Sequence, residues 1–362
     1  MSERTSERLG ASAGLSVPTV ALAPGYDIPR LIKGGWQLAG GHGAINQARA
    51  VADMTAFAEA GITAFDCADI YTGVEALIGE FLRAWRAAHG ENAPPIRVHT
   101  KCVPDLDALA TLRFVDIERL IDRSLQRLGV DTLDLVQFHW WDYDIPGVEQ
   151  AALHLATLQR AGKIRHIGVT NMDTPHLQAI LDAGVPVAAH QVQCSLLDRR
   201  ALGAMAALCA ARGVSLLAYG SLAGGFFHER WLGAAEPVAP FENRSLVKYK
   251  LIIDDFGGWG AFQSLLRALH GIAELHGVTI GTVALRCVLD EPAVAAAIVG
   301  ARHAAHLPQT LAALSLVLTD EERAVLRTAV AHATGPSGDV YTLEREKGGR
   351  HASIMRYNLN TT

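Results

Sequence analysis

Asp66, Tyr71, Lys101 and His139 are the residues whose types and placement point to chemistry. The stretch ITAFDCADIY, Ile62 to Tyr71, opens as an apolar, β-branched strand, then sets Asp66 inside the apolar run with Asp69 and Tyr71 behind it. Burying an unpaired carboxylate costs several kcal/mol or drives it to take up a proton, so Asp66 needs a partner. Lys101, at the end of a neighbouring apolar run, supplies one. A phenol is a poor acid near neutral pH, with a reference pKa of about 10. An ammonium beside Tyr71 lowers that value, and Asp66 keeps the ammonium paired and in place. His139, between Phe138 and Trp140, can donate a hydrogen bond to the same substrate oxygen. Together these groups can protonate a carbonyl oxygen while something else delivers hydride.

The bland reading of a histidine in an apolar run is a hydrogen-bonded core residue, and His99 and His190 are read that way. His139 is read as catalytic because of its company. A metal centre of Asp66, His139 and His190 is disfavoured, since Lys101 would put a second cation into it. Asp69 has no role in this scheme.

The elements that must hold these groups alternate regularly. Apolar runs LIKGGWQL, ITAFDCAD, IRVHTKCV, LDLVQFHWW, IRHIGVTN, VAAHQVQCS, VSLLAYGS and VAAAIVG are separated by stretches with helical spacing, as in Ile117, Leu120, Ile121, Ser124, Leu125 and Leu128. Eight strands with helices between them predict an α/β protein, a (β/α)8 barrel. No G-x-G-x-x-G opens the first helix, which counts against a doubly wound sheet. The strands end on Trp36, Asp66, Lys101, His139, Thr170 with Asn171, Gln191, Tyr219 and Gly300, and barrel enzymes build their sites at that end. Consecutive strands place Asp66, Lys101 and His139 side by side.

Between Gly220 and about Gly260 the rhythm breaks into a long loop with Pro237, Pro240 and DDFGGWG, a turn or a mobile flap, before helices predicted from Phe262 to His276 and from Thr279 to Asp290. Residues 1–26 read as a mobile extension, 27–332 as the barrel with no second hydrophobic unit, and 333–362 as a tail too polar for core. The N-terminus lacks the apolar segment of a signal peptide and no apolar stretch reaches spanning length, so a cytoplasmic location is expected. The net charge of -5 comes without a basic cluster, which counts against nucleic-acid and membrane partners and leaves a small molecule. Five widely spaced cysteines with no C-x-x-C pair read as buried thiols.

From about Ile28 to Leu314 the sequence resembles the aldo-keto reductases. The resemblance lies in F-D-x-A-x-x-Y at Phe65 to Tyr71, T-K at Thr100 and Lys101, D-L-x-x-x-H-W at Asp134 to Trp140, G-V-T-N at Gly168 to Asn171, and Y-x-S-L-x-x-G at Tyr219 to Gly225. It implies Asp66, Tyr71, Lys101 and His139 as a catalytic tetrad, with NADPH or NADH as hydride donor. It further implies Thr170, Asn171 and Gln191 at the carboxamide, Tyr219 stacked on the nicotinamide, Ser221 and Leu222 near the pyrophosphate, and Trp36 and Trp140 lining the substrate pocket. After the last strand Gly300 and Arg302 fall where the adenosine half is held, and Arg302 favours NADPH because a guanidinium matches phosphate geometry. Gln309 and Thr310 replace the Glu-Asn pair common in the family, and His306 stands where an arginine is common. The other reading, drawn from relatives that couple nucleotide binding to a partner protein, is a non-catalytic regulatory subunit on the same barrel.

Overall fold

A computed structural model describes residues 17–40, 43–300 and 303–360. Its centre is a closed parallel barrel of β3 (Leu31–Gly34), β4 (Ala64–Asp66), β5 (Arg97–Cys102), β6 (Leu133–Phe138), β7 (Ile164–Thr170), β8 (Val187–Gln193), β9 (Ser215–Tyr219) and β10 (Val294–Gly300). The predicted (β/α)8 fold is therefore present, with all eight runs paired in sequence order and β10 closing on β3. Helices α1 (Gln47–Glu59), α2 (Val74–His89), α3 (Phe114–Leu128), α4 (Val148–Arg160), α5 (Thr174–Asp182) and α6 (Ala204–Arg212) fill the first six crossovers. In α3 the residues Ile117, Ile121, Ser124 and Leu128 face inward, the stripe a 3.6-residue period dictates. The α2–α3 contact is close enough that a Cβ on Gly79 would meet the Arg127 carbonyl oxygen at 2.5 Å, so that position admits glycine alone.

The N-terminal end of the barrel is plugged. Strands β1 (Thr19–Ala23) and β2 (Tyr26–Pro29) form an antiparallel hairpin, and Leu22, Tyr26 and Ile28 join the barrel-interior cluster of Ile32, Ala64, Leu135, Ala189, Leu217, Ala296 and Ile298. Residues 19–26, which the sequence reading placed in a mobile extension, are thus ordered, because the alternating burial of Leu22 and Tyr26 covers an otherwise open apolar floor.

The long segment after β9 also differs from expectation. It carries α7 (Arg244–Phe256) and α8 (Gly258–His276), and DDFGGWG is the break between them, with Gly257 at φ 134°. Helix α8 therefore begins four residues before the predicted Phe262, because Gly258 and Gly260 are tolerated in a turn whose neighbours are buried aromatics. With α9 (Ile280–Leu289) and α11 (Asp320–Ala331), reached through α10 (Leu307–Ser315), these helices build a second apolar cluster around Phe226, Phe227, Leu246, Phe256, Phe262 and Leu269.

The tail is the largest departure. Val340, Tyr341, Glu344, His351 and Ala352 are buried, and the short α12 (Thr342–Arg345) lies across the C-terminal face of the barrel. Polar side chains keep it there. His351 pairs with Asp255 at 2.7 Å, Arg350 also reaches Asp255, Lys347 reaches Asp142 and Asp144, and the backbone N–H groups of Leu359 and Asn360 donate to Asp105. Polarity kept this segment out of the predicted core, yet paired polar groups bury without penalty. No single helix among the described residues is long and apolar enough to cross a membrane. All five cysteines are free thiols.

Candidate active site

Strand register assembles the tetrad. Gly34 aligns with Asp66, Asp66 with His99, and Lys101 with Gln137, so the ends of β4, β5 and β6 step around one side of the mouth. A Cβ on Gly35 would meet the Asp66 carbonyl oxygen at 2.7 Å, and without one the Gly35 N–H donates to that oxygen. This fixes the end of β4.

Asp66 and Lys101 form the expected pair. Lys101 Nζ donates to Asp66 Oδ2 at 2.7 Å and to the Cys67 carbonyl at 2.8 Å, with both side chains almost fully buried. The other carboxylate oxygen accepts from Gln137 Nε2 at 3.0 Å and from Gln191 Nε2 at 2.6 Å. Burial alone would lower the Lys101 pKa, but Asp66 and Tyr71 more than offset it and the net shift is upward. Lys101 is held as an ammonium.

Tyr71, half-buried on the loop after β4, presents its ring 5.2 Å from Lys101 Nζ and edge-on to Trp36, with centroids 5.2 Å apart. The sequence reading expected the lysine to lower the phenol pKa. The net direction is upward, because desolvation outweighs Lys101 and the carboxylate of Asp66 adds to it. Tyr71 is therefore a phenol, ready to give a proton rather than to take one.

His139 departs from its expected role in a similar way. Its Nδ1 lies 3.0 Å from the Thr170 carbonyl oxygen, which can only accept, so Nδ1 carries the hydrogen. Burial first, and then the charge of Arg345, pull its pKa down to about 3, so the ring is neutral and Nε2 holds a lone pair. That Nε2 is buried without a partner among the described residues. It can therefore accept a hydrogen bond from a hydroxyl, where a donating role was expected from the sequence.

Asp69 gains a structural role. Its carboxylate accepts the backbone N–H groups of Val103 at 3.0 Å and Ile70 at 2.9 Å, tying the loop after β4 to the loop after β5. Burial and the neighbouring Glu75 push its pKa up to about 8.

The expected cofactor residues line the other side of the mouth. Tyr219, half-buried at the end of β9, donates from its hydroxyl to Asn171 Oδ1 at 2.9 Å, and Asn171 adopts φ 56° with its N–H on the Gln191 carbonyl. Thr170 uses its hydroxyl on the Gln191 carbonyl at 3.2 Å. Gln191 itself points into the barrel, where Nε2 serves Asp66 and Gln137, so that donor is committed away from the mouth. Ser221 is buried and Leu222 half-buried in the turn that leaves β9. Gly300 ends β10 exposed, and Gln37 packs where a side chain on it would stand. Gln37 Oε1 is buried and unpartnered among the described residues. An orphaned acceptor beside the bare end of β10, which pairs with β9, fits a dinucleotide laid over the ends of these two strands. Arg302 lies outside the described residues. His306 and Gln309 are exposed at the start of α10, and the Thr310 hydroxyl is spent on the His306 carbonyl at 3.0 Å.

One tryptophan is where it was expected and one is not. Trp36 touches Tyr71 and donates from Nε1 to Ser245 Oγ at 3.3 Å. Trp140 is 1% exposed and faces away, with Nε1 donating to the carbonyls of Asp142 and Ile145. Trp141 takes the place at the mouth, edge-on to His139 with centroids 4.4 Å apart. Side chains past a strand end keep alternating for a residue or two, so 139 and 141 share a side. The W-W doublet carried that signal.

Three further residues at the mouth were missed: Gln137, Lys248 and Arg345. Lys248 on α7 sits 3.4 Å from the Tyr219 hydroxyl and over the Tyr219 ring, and Tyr341 from the tail stands edge-on to His139 at 5.6 Å between centroids. Separation in sequence hid the three.

A family model for the aldo/keto reductase family matches residues 30–331. Flagellar radial spoke protein 5 of Chlamydomonas reinhardtii is 31% identical over 259 residues, covering 62% of this chain and 49% of that protein, so this chain spans about half its length. Probable aldo-keto reductase 1 of Glycine max is 27% identical, covering 80% of this chain and 79% of the relative. Among solved structures, an aldo/keto reductase from Klebsiella pneumoniae in complex with NADP and acetate superposes with a TM-score of 0.66 at 25% identity, covering 90% of this chain and 98% of that one. The match to the family model extends over barrel strands β3 to β10 and includes Asp66, Tyr71, Lys101 and His139, and the chain belongs to the aldo/keto reductase family of NAD(P)-dependent oxidoreductases.

Proposed function

We propose that this chain reduces the carbonyl group of a small aldehyde or ketone, and runs the reverse oxidation, with Tyr71 as the general acid and base. The observation that carries the reading is the Tyr71 ring 5.2 Å from Lys101 Nζ, beside the buried Lys101–Asp66 pair. The hydride for the carbonyl carbon would come from NADPH or NADH when bound. As that carbon is reduced, the Tyr71 O–H bond breaks and its proton passes to the carbonyl oxygen, leaving a phenolate that Lys101 stabilises across a low-dielectric gap. Asp66 keeps Lys101 charged and aimed. The neutral His139, with its free Nε2 lone pair, accepts the hydroxyl hydrogen of the alcohol and so orients it. Solvent then restores the proton on Tyr71. Thr170, Asn171, Tyr219, Ser221, Leu222, Gly300 and Arg302 would hold the cofactor, and Trp36 and Trp141 would wall the substrate. The reading places the enzyme in the cytoplasm.

The test is carbonyl-dependent loss of NADPH absorbance by the purified protein over a panel of aldehydes, sugars and keto compounds, with Tyr71→Phe as the control. Turnover should disappear in the variant while nucleotide affinity stays within about two-fold of wild type. Unchanged turnover would remove Tyr71 from the mechanism. Nucleotide binding with no carbonyl-dependent turnover in wild type would favour the regulatory-subunit reading. Arg302→Ala should weaken NADPH more than NADH, and equal weakening would overturn the phosphate role.

A further inference from the structure

We propose that Arg345, carried on the C-terminal segment, binds a carboxylate on the substrate, so that the preferred substrate is an aldehyde or ketone bearing a second, anionic group. The inference rests on the carbonyl-reductase reading of the same site.

The guanidinium is held rigidly at the mouth. Its carbon lies 4.2 Å from the centre of the Tyr143 ring and 5.1 Å from that of Tyr341, and Nη2 donates to the Trp140 carbonyl at 2.7 Å. Tyr341 is the ring that stands edge-on to His139, so Arg345 is one aromatic side chain away from the reacting oxygen's acceptor. Packing on aromatic faces accounts for its position but not for its donors. Rings engage the face of a guanidinium, whereas its N–H groups lie in the plane. Nε and Nη1 are both buried and have no partner among the described residues.

The charge is equally unanswered. No carboxylate among the described residues forms an ion pair with Arg345, and the acidic residues around it are taken. Glu344 pairs with Arg200 and Lys248, Asp142 and Asp144 pair with Lys347, and Asp339 accepts from the N–H groups of Thr174 and Val340. A half-buried guanidinium with two enclosed, idle donors is costly unless something anionic completes it. Arginine is the side chain best matched to a planar carboxylate. Its field already reaches the site, since after burial it is the next cause holding His139 and His190 neutral.

The experiment compares matched substrates. With NADPH, kcat/KM is measured for 3- and 4-carboxybenzaldehyde and for their methyl esters, on wild type, Arg345→Gln and Arg345→Lys. Wild type should favour an acid over its ester. Arg345→Gln should lower kcat/KM for that acid by about ten- to a hundred-fold, the range of a charge-assisted hydrogen bond at an enclosed site, and leave the ester within about three-fold. Arg345→Lys should recover part of the difference. An acid-to-ester ratio that is unchanged in Arg345→Gln, or a wild type that prefers both esters, overturns the proposal while leaving carbonyl reduction standing. If neither acid nor ester is reduced, the decision passes to binding of benzoate followed by tryptophan fluorescence. Weaker binding in Arg345→Gln supports the anion site independently of turnover, and equal binding overturns it.

Discussion

Two buried ion clusters stand at the barrel mouth, and their difference separates chemistry from architecture. Lys101 and Asp66 lie 2.7 Å apart, and Arg200 reaches Asp198 at 2.8 Å and Glu344 at 3.2 Å, all with side chains nearly or fully enclosed. The Arg200 cluster is matched charge for charge, and Glu344 also pairs with Lys248. Its guanidinium donates to both carboxylates, Gln193 adds a further donor to Asp198, and Glu344 is thereby locked into the barrel from the tail. The Lys101 cluster stays open on one side, towards a half-buried phenol. A buried pair with an ammonium beside a phenol can stabilise a charge that forms on that phenol during reaction; a guanidinium already held by two carboxylates serves to hold a segment in place.

The largest effect that would test this contrast is at Tyr71. Tyr71→Phe should reduce kcat by about 10²–10⁴-fold, as loss of a positioned proton donor does, with no change in the thermal unfolding midpoint. A midpoint drop as large as that of a core substitution would make Tyr71 structural instead. Next come the two clusters themselves. Lys101→Met and Arg200→Met should each cost about 3–5 kcal/mol in urea unfolding, because each leaves buried carboxylate uncompensated. The kinetic consequences should diverge, with kcat lost in Lys101→Met and chiefly KM raised in Arg200→Met through the undocked tail. Similar loss of kcat in both would erase the distinction. The double change Asp66→Asn with Lys101→Met should return much of the stability and none of the turnover.

A smaller effect separates the adjacent tryptophans. Trp141→Phe should raise KM several-fold with little loss of stability, and Trp140→Phe should do the reverse. If Trp140→Phe moves KM and Trp141→Phe does not, the assignment of the mouth is wrong.

The smallest effect is in pH dependence. Burial lowers His139 and His190 to about 3 and His99 to about 4, against an unfolded value of about 6.5, so unfolding takes up protons at each of them. Their contribution to stability is fully present above about pH 6.5 and is lost as the pH falls towards 4. Asp69, raised to about 8, works in the opposite sense, stabilising most at low pH and losing that contribution as the pH rises from its unfolded value towards 8. Three groups outweigh one, so the unfolding midpoint should decline between pH 6.5 and 4.5. A flat profile would contradict the neutral histidines. The reductive kcat/KM should also show no histidine limb near pH 6.5.

Much of the barrel and half of the site could be read from local pattern. Alternating strand and helix periods give the eightfold unit, and Asp66, Lys101 and His139 fall at strand ends because period-2 runs stop there. Identity of the residues, however, did not give their protonation. The direction at Tyr71 depends on how much water the fold removes relative to how close it brings Lys101, and the role of His139 depends on the Thr170 carbonyl one strand away. Trp140 was placed at the mouth on its position in the D-L-x-x-x-H-W match, and continued alternation puts Trp141 there instead.

By itself, the sequence determined the strands and the strand ends that carry Asp66, Lys101 and His139, because those depend on neighbours a few positions apart. Tertiary structure alone decided that a polar tail becomes a wall of the site. Tyr341, Glu344 and Arg345 reach His139, Arg200 and Trp140 across a large separation in sequence, and those contacts hold the tail against the barrel. No period within the tail records those partners. They exist only once the barrel has closed and its mouth presents them.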